Sequence, residues 1–144
     1  MTNTTYPIDF YAWTQEQAAL LKEEEFTEVD WQNLIEEIES MGRSEQKELE
    51  SRLSLIIMHL LKIQYQPQRR GRSWATTIAI QRIDLRHHLR KNPSLRAQLA
   101  EAIVDIYPDA AQKAAIETRL PSSIFPSDCP WTVEEILDKD WLPE

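Results

Sequence analysis

Apolar residues recur three and four positions apart along most of the chain, and no stretch alternates as a strand would. The pattern predicts helices throughout. Thr14-Gln15-Glu16-Gln17 reads as a capping box opening a first helix that runs to about Glu25. The acidic run Glu23-Glu24-Glu25 would oppose the dipole at that helix's C-terminus, so a basic neighbour is expected. Asp30 is a good N-cap for a second helix ending before Gly42. Trp31, Leu34, Ile35, Ile38 and Met41 form its apolar stripe; Glu36 faces away and Glu37 lies on the flank. Ser44 can cap a third helix reaching about Gln66, where Pro67 intervenes. Its main stripe is Leu49, Leu53, Ile56, Leu60 and Ile63, while Leu55, Met58 and Leu61 fall on other faces, the mark of a central helix.

Ser73 can cap a fourth helix running to about Asn92, with Trp74, Ile78, Leu85 and Leu89 on one face. Ile80 and Ile83 lie elsewhere, which predicts a sandwiched helix. Ser94 caps a fifth, with Leu95, Leu99, Ala102, Ile103 and Ile106 inward. Pro108 falls inside its apolar period and predicts a kink or break, with helix resuming to about Leu120. The segment PSSIFPSDCP holds three prolines in ten residues and reads as an extended arm. Ile124, Phe125 and Trp131 suit it to packing on the body. Thr132-Val133-Glu134-Glu135 is a second capping box, opening a short last helix. The expected architecture is an all-α, single-domain bundle over 1–144. It has five main helices and a short C-terminal helix on a Pro-rich arm. Residues 1–12 form an N-terminal segment, and 121–144 the arm and last helix.

Composition narrows the chemistry. The chain has 144 residues, a size that fits one domain, with two glycines and one cysteine. Two glycines exclude Gly-rich phosphate loops, and a lone Cys129 excludes an internal disulfide or a cysteine zinc site. MTNTTYPIDFYAW has neither the basic nor the apolar region of a secretory signal. The apolar stretch Leu53 to Ile63 is interrupted by Ser54, His59 and Lys62, so no membrane span is expected. A cytoplasmic protein is the expectation. The net charge of −8 hides a pattern. Residues 1–50 carry 3 basic and 13 acidic groups, 51–100 carry 10 and 1, and 101–144 carry 3 and 10. Either these blocks neutralise one another within the fold, or the basic middle meets an outside anion.

Several segments in order, DWQNLIEEIESMGRSE, HLLKIQYQP, SWATTIAIQR, NPSLR, ETRLP, FPSDCPWTVEEIL and LPE, resemble the domain of unknown function 29 family, which is frequent in cyanobacteria. The resemblance covers about Tyr11 to Glu144. It implies an all-helical fold, and it implies no catalytic residues.

Two constellations could carry chemistry. Glu37, His59, Arg82 and Glu117 each sit on or beside an apolar face of a different predicted helix. Converging, they could bind a divalent metal or an anion. A buried salt-bridge network is preferred, with Glu37 or Glu117 neutralising Arg82. His59 reads as a hydrogen-bonded core histidine rather than a general base, because no nucleophile accompanies it. Glu-x-x-His pairs are lacking, Asp84-x-x-His87 is the nearest approach, and His87-His88 reads as a surface pair. The second constellation is basic. Arg69, Arg70 and Arg72 precede the fourth helix, and Arg82, Arg86 and Arg90 recur every four residues along its edge. With Tyr65 and Trp74 nearby, this edge could grip phosphates. Internal pairing and solvation are preferred, since the overall charge opposes polyanions. Asp128 beside Cys129 gives no reason for a reactive thiol.

The expectation is a non-catalytic protein-interaction or regulatory module, with a protein partner or self-association. Nucleic-acid binding through the Arg69–Arg96 region is the alternative, and a metal- or ligand-dependent enzyme with a polar core site is the next. No cofactor and no metal set is implied.

Overall fold

A computed structural model describes residues 5–69 and 71–144. Among the described residues six α-helices follow one another: α1 (Thr5–Ile8), α2 (Phe10–Lys22), α3 (Trp31–Tyr65), α4 (Arg72–Lys91), α5 (Leu99–Thr118) and α6 (Val133–Leu137). Short 3₁₀ turns fill the connections at Phe26–Glu28, Pro67–Arg69, Pro93–Gln98 and Ser122–Ile124. The all-α class stands, and there is no strand among the described residues. Contacts gather into two compact units, residues 1–45 and 46–144.

In the first unit, Trp13 and Val29 are buried. The Trp13 ring meets Tyr6 edge-on at 4.8 Å and stacks on Phe10 at 5.6 Å. Its indole N–H donates to Asp30 Oδ2 at 3.1 Å. Gln17 Oε1 accepts from the Asp30 backbone N–H at 2.8 Å, which ties α2 to the start of α3. The α2 helix begins earlier than Thr14. Asp9 caps it, accepting from the Ala12 N–H at 3.0 Å, and Thr14 turns inward to its own helix, donating to Tyr11 O. The basic neighbour expected for Glu23, Glu24 and Glu25 is missing: none of the three forms an ion pair among the described residues. The helix stops at Lys22 instead, and Glu24 takes a positive φ of 59°.

The second and third expected helices are one. α3 runs unbroken through Gly42 and Ser44. Glycine in a helix interior costs about 1 kcal/mol relative to alanine, which weakens a helix without ending it. A stop needs a left-handed residue or a proline, and no glycine here has a positive φ.

The second unit is built on the C-terminal part of α3. Leu49, Leu53, Ile56, Leu60 and Ile63 are all buried, as are Ile57, Met58 and Leu61 on its other sides. Against it pack Ile78, Leu85 and Leu89 of α4, then Ala102, Ile103, Tyr107, Ala110 and Ala114 of α5. α4 is one-sided rather than sandwiched, since Ile80 and Ile83 are 51% and 58% exposed. Ser94 lies inside a 3₁₀ turn, and α5 proper starts at Leu99. Pro108 does not break α5. Its ring and Val104, whose carbonyl loses a donor, lie on the exposed side, where water can substitute. The arm after α5 is pinned by Phe125, which meets Tyr65 edge-on at 5.3 Å, and the Thr132 capping box forms as expected.

A Cβ at Gly42 would meet nothing within 4 Å. Gly42→Ala is therefore expected to stabilise the chain by about 1 kcal/mol, read by urea unfolding followed by circular dichroism. An unchanged or lowered midpoint would contradict an unstrained helix at this position.

Candidate functional site

The four residues proposed as a polar cluster do not converge as a set. Glu37 belongs to the first unit, where the Tyr6 hydroxyl donates to its carboxylate. That bond, more than burial, pushes the Tyr6 pKa up to about 12. Arg82 is buried, but no carboxylate neutralises it directly. Its Nε donates to Ile136 O at 2.8 Å, Nη1 to Trp141 O at 2.7 Å and Nη2 to Glu135 O at 3.1 Å. The guanidinium thus holds the C-terminal end of α6, where carbonyls lack helical partners and the dipole favours a cation. Burial lowers its pKa, and the charges of Asp138 and Asp140 oppose that fall.

His59 and Glu117 do come near each other, through a residue not among the sequence candidates. Lys62 is 6% exposed, and its ammonium donates to Glu117 Oε1 at 2.5 Å. It also lies 5.6 Å from the centre of the Trp74 ring, a cation–π distance. The signal was present: a lysine inside the longest apolar stretch of the chain needs a counter-charge. His59 Nδ1 bonds Leu55 O one turn back at 2.8 Å. Burial lowers the His59 pKa, as the Lys62 charge does to a smaller degree, while the Leu55 bond and Glu117 act the other way.

A third polar group joins α3 and α4. His88 is 4% exposed rather than on the surface, and its Nδ1 lies 3.2 Å from Glu48 Oε2. The same carboxylate oxygen takes Arg52 Nε at 3.1 Å, and Arg52 reaches Asp84 at 3.3 Å and Gln81 at 3.0 Å. Asp84 is thus committed to Arg52, and His87 stays exposed. Glu45, Glu48 and His88 lie close enough together to offer three ligand atoms to a metal ion, though Glu48 Oε2 is already shared between Arg52 and His88.

A cavity of about 340 Å³ opens beside α5 and the arm, lined by Ile103, Val104, Tyr107, Cys129 and Trp131 among others. Burial raises the Cys129 thiol pKa, and the Tyr107 hydroxyl, raised to about 12 mainly by burial, donates to Pro126 O at 2.8 Å. A thiol held protonated and a phenol already donating offer neither nucleophile nor base.

What is left over is surface. Trp31, Ile35, Ile38 and Met41 are 46%, 53%, 59% and 67% exposed. They share one side of the first half of α3, with Leu34 half-buried beside them. The Trp31 indole N–H donates to Phe26 O at 2.8 Å, which fixes the ring in place. On the basic edge, Arg69, Arg72 and Arg90 are exposed and Arg86 is half-buried. None of them forms an ion pair among the described residues, so the expected internal pairing is absent. Arg70 lies outside the described residues.

Residues 5–142 match the family model described as Domain of unknown function DUF29. The chain belongs to this family. No curated protein and no solved structure matches it. No helix of this family member is long and apolar enough to cross a membrane among the described residues.

Two measurements check the buried polar groups. Arg82→Met removes the side-chain donor from three carbonyls, leaving those of Ile136 and Trp141 without it and Glu135 O with only the Asp138 N–H, and should cost about 3 kcal/mol or more of unfolding free energy. It should also speed amide exchange selectively in residues 133–142. His59 has a folded pKa below its ordinary 6.5, so its contribution is complete above 6.5 and is lost as pH falls through the folded value. His59→Gln should flatten the stability loss between about pH 7.5 and about pH 5.5, read by urea midpoints.

Proposed function

We propose that this protein is a non-catalytic protein-interaction module that docks through the exposed stripe of Trp31, Ile35, Ile38 and Met41. The observation that carries the reading is the exposure of four large apolar side chains on one helix side. Burying each such side chain is worth about 1.5–3 kcal/mol, so the stripe holds unspent driving force for association. Trp31 is already oriented by its bond to Phe26 O, which lowers the ordering cost of docking. The polar clusters support the same reading, because their side chains are committed to one another or to backbone.

A second reading, polyanion binding, has the unpaired Arg72, Arg86 and Arg90 in its favour. Ile80 and Ile83 exposed among those arginines, together with the net charge of −8, weigh against it.

Affinity capture with tagged wild-type protein, compared with Ile38→Glu/Met41→Glu and with the control Val104→Glu on exposed α5, tests the docking role. A specific protein should be retained by wild type and control and reduced about tenfold or more by the stripe variant. Identical recovery with all three would overturn the reading.

A further inference from the structure

We infer that the stripe on α3 is covered by the outer edge of α4 from a second copy of this chain. The inference rests on the docking reading above and names its partner. Its ground is that one chain carries two exposed faces of opposite charge, each with an apolar centre.

The first face is acidic. Residues 1–45 hold 11 acidic and 2 basic side chains, and Glu39 borders the stripe along one margin. The second is basic. On α4, Ile80 and Ile83 are exposed with Arg72, Arg86 and Arg90 around them, while Arg82 and Asp84 are engaged elsewhere. Helical geometry places Ile83, Arg86 and Arg90 on one side of α4, as it places Trp31, Ile38 and Met41 on one side of α3. The α3 face from Trp31 to Met41 and the α4 face from Ile80 to Arg90 each cover eleven residues, about 15 Å of helix. Their lengths match, their apolar centres can meet, and carboxylates face guanidiniums that have no partner of their own. Pairing the acidic stripe with itself would bring Glu39 and the other carboxylates of this unit against their own copies, and like charges across an interface are costly.

Gly42 adds an independent observation. It lies in register with Trp31, Ile35 and Ile38, and nothing in the chain comes within 4 Å of a Cβ built there. No positive φ requires a glycine either. A bare backbone on the apolar side lets a second helix approach closely. A contact between unlike faces is heterologous, and each copy offers both halves of it.

The test is complementation between two variants, read by light scattering after size exclusion and by sedimentation. Wild type should associate at about 0.05 M salt and dissociate more readily at about 0.5 M. Ile38→Glu/Met41→Glu removes the apolar centre of the acidic face, and Ile83→Glu/Arg90→Glu disrupts the basic one. Each alone should weaken association about tenfold or more. Mixed, the two should form a one-to-one complex, since each retains the face the other needs. Gly42→Ala should raise stability and weaken association together, which separates docking from folding. A monomeric wild type, an assembly indifferent to either variant, or a mixture that forms no complex would overturn the inference. A monomer that still captures a stripe-dependent partner would leave the docking reading standing and remove only the second copy.

Discussion

The second unit depends on one constraint: α3 between Ile56 and Ile63 has almost no side that faces water. A helix buried this way cannot hide a cation by turning it outward. Lys62 must therefore be neutralised in place, and Glu117 from α5 does so while Trp74 from α4 covers the ammonium. The ion pair and the ring together fix the order in which three helices meet. The network of Glu48, Arg52, Asp84 and His88 fixes α4 against α3 again, several turns away. Apolar burial supplies the driving force, and these polar pairs select one arrangement among the many that apolar packing would tolerate.

Much of this was legible in the residues. The stripe from Leu49 to Ile63, the inward faces of α4 and α5, and the Thr132 capping box follow from spacing alone. The misreadings share a cause. Gly42, Ser44, Thr14 and Pro108 read as punctuation in the sequence, yet each sits inside a helix. Local propensities there are about 1 kcal/mol for glycine, smaller for serine and threonine, and largest for proline. Neighbouring turns outweigh the small ones, and an exposed position softens the proline.

Partner choice was less legible than position. Spacing set Arg82, His59 and Glu117 on or beside apolar faces; Arg82 is buried and His59 half-buried, while Glu117 is exposed and reaches Lys62 from the edge. It could not say that Arg82 meets main-chain oxygens 53 to 59 residues later in the sequence. It also could not separate His87 from His88, which differ by one step of about 100° around the helix. That step leaves one imidazole exposed and the other beside Glu48. The stripe on α3 was visible as a stripe, but periodicity does not say whether an apolar side is covered. Exposure decides that, and it moves Trp31, Ile35, Ile38 and Met41 from core to surface.

The grip of Arg82 has an evolutionary consequence. Its three hydrogen bonds end on carbonyl oxygens of residues 135, 136 and 141, which every amino acid supplies alike. Arg82 itself asks nothing of the side chains at these positions, although Glu135 is also bound into the Thr132 capping box and the Trp141 ring meets Trp131 edge-on. The burden of constancy falls on the single arginine and on the Thr132 cap that starts the turn it holds.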